Sequence, residues 1–87
     1  MTRKKVELIE RLDLPRDLTL GASIITVVGE MELTIENYKG ILDYCEELIL
    51  VQGKTKQIQI IGKQLAVDYY TNEDMKITGI IQSITYL

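Results

Sequence analysis

Met31 to Tyr44 reads M-E-L-T-I-E-N-Y-K-G-I-L-D-Y, and the way this stretch is paired decides the fold. Met31, Leu33 and Ile35 alternate with Glu30, Glu32, Thr34 and Glu36, the period-two pattern of a strand with one buried face. Asn37 and Gly40 bracket Tyr38-Lys39. Asn tolerates turn conformations, and Gly reaches positive φ without a Cβ clash. A three-residue loop, Tyr38 to Gly40, would set Ile35 opposite Asp43 and Leu33 opposite Cys45. A four-residue loop, Asn37 to Gly40, pairs Ile35 with Leu42 and Leu33 with Tyr44, which keeps apolar groups on one face. The stretch therefore predicts a hairpin with a type I turn and Gly40 left-handed. On that account Gly40→Val costs on the order of 1–2 kcal/mol of strain.

Working outward, the rest of the chain is also strand-like. Ile24 to Val28, I-I-T-V-V, is apolar on both faces, and Gly29 after it is either a turn or a bend inside a longer strand. Leu48 to Val51 is a second continuous apolar run. Pairing Val51 with Ile58 and Ile49 with Ile60 across the Gly53–Lys56 turn gives a second hairpin with an apolar face. Leu65, Val67 and Tyr69 alternate inward, Thr71 to Asp74 is a turn, and Met75 to Leu87 supplies a last strand or pair interrupted at Gly79. Ile24 to Val28 and Leu48 to Val51, apolar on both faces, are the stretches expected nearest a buried interface.

Before this β region, residues 1–13 read as a short helix. Val6, Ile9 and Leu12 recur at i, i+3 and i+6 with Leu8 beside them, and Pro15 ends the pattern. That helix would dock on the sheet or a neighbouring subunit, or touch an anionic membrane with its basic front. Residues 14–22 form a connection, and 23–87 form the β region of a single domain. The fold class expected is mainly β: a small curved antiparallel sheet or meander of about six to seven strands with a short N-terminal helix. A short β-solenoid-like stack is the alternative. It is suggested by an I-x-G pattern at Ile60-Ile61-Gly62 that recurs at Ile77-Thr78-Gly79, seventeen residues on.

Composition narrows the chemistry. The chain has 87 residues, one cysteine, no histidine and a formal net charge of −3. One cysteine excludes a disulfide framework, and lack of histidine removes the commonest general base and metal ligand. The six glycines are spread one per turn or bend, with no phosphate-binding motif among them. An acidic balance argues against generic nucleic-acid binding, and no apolar run approaches a membrane span. The charged N-terminus through Arg11 does not resemble a secretory signal, so the reading is a cytoplasmic protein. Glu30, Glu32 and Glu36, Glu46-Glu47 and Glu73-Asp74 read as a solvated outer face; Cys45 reads as a small side chain on a strand. Neither a catalytic, a cofactor nor a metal site is expected. A small core supplies only about 3–5 kcal/mol, so self-association is expected. Tyr38 and Lys39, at the tip of the expected turn, are the candidate partner contacts.

L-D-L-P-R-D at Leu12 to Asp17, I-I-T-V-V-G at Ile24 to Gly29 and I-E-N-Y-K-G-I-L at Ile35 to Leu42 together resemble the YabP/YqfC sporulation family, on its YqfC side. The closing I-T-G-I-I-Q-S-I-T-Y-L, Ile77 to Leu87, is similar to the family's usual ending. The resemblance implies a small non-enzymatic protein made in the mother cell during sporulation, cytoplasmic or at the forespore surface. It implies association with spore envelope and coat morphogenesis, acting through self-association and other sporulation proteins. The competing reading is a small β-rich ligand- or glycan-binding module using Tyr38, Tyr44 and nearby carboxylates.

Overall fold

A computed structural model describes residues 22–87, which form a six-stranded antiparallel sheet. The strands are β1 (Ile24–Val28), β2 (Glu32–Glu36), β3 (Tyr38–Tyr44), β4 (Leu48–Gly53), β5 (Gln57–Tyr70) and β6 (Asp74–Tyr86). Their spatial order is β1-β2-β6-β5-β4-β3, which places the last strand of the chain in the middle of the sheet. The helix expected at residues 1–13, and the connection after it up to Gly21, lie outside the described residues.

Met31 to Tyr44 is not a hairpin. β2 pairs with β1 and β6, whereas β3 pairs with β4, and only Asn37 separates β2 from β3. The left-handed residue is Asn37, at φ 65°, and not Gly40, which is absent from the positive-φ positions. One residue cannot reverse a chain into a ladder. It swings the chain out of one part of the sheet and into another. The reason is the choice of apolar partners. Leu33 lies opposite Ile77 and Ile35 opposite Met75, and all four are fully buried. The partners expected from the local pattern, Leu42 and Tyr44, are 52% and 51% exposed.

The second hairpin has the expected register, with Val51 opposite Ile58 and Ile49 opposite Ile60. Its Leu48–Val51 stretch becomes an inner strand flanked by β3 and β5, with Ile49 and Val51 buried in the core and Leu48 and Leu50 half-buried on the other face. Gly29, at φ 60°, makes a turn rather than a bend, and β1 returns as β2 with Val28 opposite Glu32.

β5 and β6 change course midway. Their register shifts between Ile61 and Gly62 and again between Lys63 and Ala66, with Gln64 at φ 54° and Gly79 at φ 130°. On one side of this line lie β1, β2, the first half of β6 and the last half of β5. On the other lie β3, β4, the first half of β5 and the last half of β6. Leu33, Ile35, Met75 and Ile77 from the first group share a single core cluster with Tyr38, Ile49, Val51, Ile58 and Ile60 from the second. One cluster lined by both groups means that the sheet folds over onto itself, with Leu65 buried at the bend.

The two groups are built alike. The buried pairs Leu33–Ile77 and Ile35–Met75 have counterparts in Ile49–Ile60 and Val51–Ile58. The β1–β2 turn rests on β6 through Gly79 N–H to the Met31 carbonyl, 3.2 Å, and Ile81 N–H to the Glu30 carbonyl, 2.8 Å. The β3–β4 turn rests on β5 in the same way, through Gly62 N–H to the Glu47 carbonyl, 3.1 Å, and Leu65 N–H to the Glu46 carbonyl, 2.8 Å. The I-x-G echo marks these two equivalent bends. It is not the rung of a solenoid.

Candidate functional site

Tyr38 follows the Asn37 corner, and the corner turns its ring inward. It is 4% exposed, so the expectation of a tyrosine at an exposed tip is corrected. Its hydroxyl donates to the Thr71 carbonyl at 2.6 Å, and its ring stacks on Tyr70 with centroids 5.8 Å apart. Asn37 N–H donates to the Glu73 carbonyl at 2.9 Å. These contacts tie the start of β3 to the β5–β6 turn and close the fold along that side. Burial, followed by the charges of Tyr70 and Asp74, raises the Tyr38 phenol above its ordinary pKa. Lys39, the other expected contact residue, is exposed. The structure therefore separates the two: Tyr38 is a structural fastener, and only Lys39 faces solvent.

The β5–β6 turn that receives Tyr38 is itself well satisfied. Thr71 Oγ1 accepts from the Asp74 and Glu73 N–H groups at 2.9 and 3.1 Å and donates to Asp74 Oδ1 at 2.6 Å. Local sequence explains this, because Thr and Asp three residues apart at a turn exchange side-chain and backbone hydrogen bonds. The role of Tyr70, stacked on Tyr38, depends on a strand distant in the chain.

The acidic residues do not converge. Glu32 pairs with Lys76 at 3.5 Å across β2 and β6, Glu30 sits in the β1–β2 turn, and Glu46 and Glu47 sit in the β3–β4 turn. Among the described residues no three His, Cys, Asp or Glu side chains group as metal ligands. Cys45 lies in the β3–β4 turn and not on a strand, where it is exposed. Its N–H donates to the Leu48 carbonyl at 2.8 Å. No helix among the described residues is long and apolar enough to cross a membrane.

Among the described residues, the surface offers apolar area and two sheet edges. Val28, Met31, Tyr44, Tyr86 and Leu87 are all more than half exposed. β1 and β3 are the two edges of the sheet. β3 carries Lys39 and Asp43 and breaks register twice against β4, devices that blunt an edge. β1 pairs with β2 without a break and contains neither a charge nor a proline. A pocket of about 250 Å³ opens beside the start of β1, between the Lys54–Lys56 turn and Tyr86.

The comparisons with known proteins point one way. The model of the YabP family matches residues 19–87. Among curated proteins, the "Uncharacterized protein YqfC" of Bacillus subtilis (strain 168) is 29% identical over 85 residues, covering 98% of this chain and 91% of that relative. No solved structure matches. The matched span takes in all six strands, the Asn37 corner and both bends, so the whole described fold lies within it. On that match, the chain belongs to the YabP family.

Proposed function

We propose that this chain is a non-enzymatic sporulation protein, made in the mother cell, that acts in spore envelope and coat assembly through protein–protein contacts. Family membership supports the link to sporulation. The observation that carries the assembly reading is β1. An edge strand presents unpaired N–H and C=O groups, and proteins that stay monomeric blunt such edges with charge, proline or bulges. Among the described residues, β3 is blunted and β1 is plain. Val27 and Val28 on β1 are 43% and 62% exposed, so strand addition there would bury apolar side chains as well as satisfy backbone groups.

Sedimentation velocity over a concentration series tests this, with wild type beside Val28→Lys. Wild type is expected to associate as concentration rises, and Val28→Lys to shift that association to higher concentration. A wild-type monomer at every concentration sinks the reading. The glycan-binding alternative loses its central residue, because the Tyr38 ring is buried and stacked instead of presented.

A further inference from the structure

We infer that copies of this chain join head to tail, with the Glu46–Glu47 turn of one copy seated on the Lys54–Lys56 turn of the next. This rests on the assembly reading above and names a contact that reading leaves open. The two turns lie at opposite ends of β4, which spans Leu48–Gly53. At about 3.3 Å per residue they stand roughly 20 Å apart, beyond side-chain reach and beyond the Debye length in physiological salt. They cannot neutralise each other within one molecule.

Among the described residues, neither turn has an ion-pair partner. The described residues hold five lysines and nine Asp or Glu residues, yet no carboxylate lies within ion-pair distance of Lys54 or Lys56. Glu32 is paired with Lys76 and Asp74 accepts from Thr71, whereas Glu46 and Glu47 stand side by side in one exposed turn. Glu46 and Glu47 are both exposed, and their backbone carbonyls are held on Leu65 and Gly62 of β5, which fixes the turn that carries them. The basic turn is likewise preset, because Gly53 N–H donates to the Lys56 carbonyl at 2.8 Å. Beside it lies the pocket of about 250 Å³, lined by Ser23, Lys54, Thr55, Lys56, Ile58 and Tyr86. It has room for a glutamate side chain, with methylenes against Ile58 and Tyr86 and the carboxylate against the lysines.

Such a contact is heterologous: each copy uses one surface to give and a different one to receive. Heterologous contacts repeat into rings when the rotation closes and into open chains when it does not.

The experiment is a charge swap. K54E/K56E and E46K/E47K are prepared separately, then mixed in equal amounts, and all are followed by sedimentation velocity. Wild-type association is expected to weaken on going from about 50 to about 500 mM salt. Each double variant alone is expected to associate at least about tenfold more weakly. The mixture is expected to regain association, because opposite charges again meet at every contact; a misfolded variant could not complement in this way. Wild-type-like association of either variant, or a mixture that stays monomeric, overturns the inference. Association that is lost in Val28→Lys but untouched by K54E/K56E overturns it while leaving the assembly reading standing. A wild type that is monomeric throughout overturns both.

Discussion

Asn37 shows how much one backbone angle decides. A residue with a Cβ is strained at φ 65° unless it is Asn or Asp. Asn37 also donates from Nδ2 to the Ala22 carbonyl at 2.7 Å. Asn37→Gly should keep the corner and lose about 0.5–1.5 kcal/mol with the bond to Ala22, whereas Asn37→Val loses the same bond and adds about 1–2 kcal/mol of strain. Urea titration of both variants distinguishes them. Tyr38 makes a prediction about pH. Its phenol titrates higher in the folded chain than in the unfolded one, so the neutral form is the one that folding favours. The stability it contributes is intact below the unfolded value of 10.0 and is lost as pH rises through the raised folded value. Thermal melts of wild type should therefore fall more steeply above pH 10.0 than those of Tyr38→Phe. At neutral pH, Tyr38→Phe should cost roughly 0.5–1.5 kcal/mol for the lost bond to Thr71. Equal alkaline slopes would count against this account.

At the scale of elements, the two bends govern the fold. A Cβ on Gly62 would overlap the Ile80 carbonyl oxygen, and one on Gly79 would stand 2.5 Å from the Gln64 carbonyl oxygen. The backbones of β5 and β6 cross so closely there that no side chain fits between them. Gly62→Ala and Gly79→Ala should each lose about 2–3 kcal/mol or more. Because the two sites share one crossing, the double variant should lose less than the sum. Denaturant unfolding of the three variants measures both effects. The strands themselves were legible in the sequence, because period-two alternation assigns faces residue by residue. The β4–β5 register was legible too, since a short turn limits Ile49 and Val51 to near neighbours. The partner of β2 was not. Periodicity says which side of Leu33 and Ile35 is buried, but Ile77 and Met75 lie far along the chain and compete on equal apolar terms with Leu42. The error about Tyr38 followed directly, because a hairpin tip is exposed and a corner between two packed groups is not. The Lys54–Lys56 turn was visible as a turn. Its missing partners became visible only when the neighbours were placed.

For the whole molecule, the position of β6 carries a consequence for how the chain is made. β6 is last in the sequence and lies between β2 and β5. Until Asp74–Tyr86 has emerged from the ribosome, β2 has no inner neighbour and the core lacks Met75 and Ile77. A chain stopped after Tyr70 should be unfolded by circular dichroism rather than partly folded. Long-range strand pairing of this kind folds in roughly milliseconds to seconds, and only after β6 has been made. The open edge of β1 belongs to the same sheet, so nascent chains cannot present it in its final form.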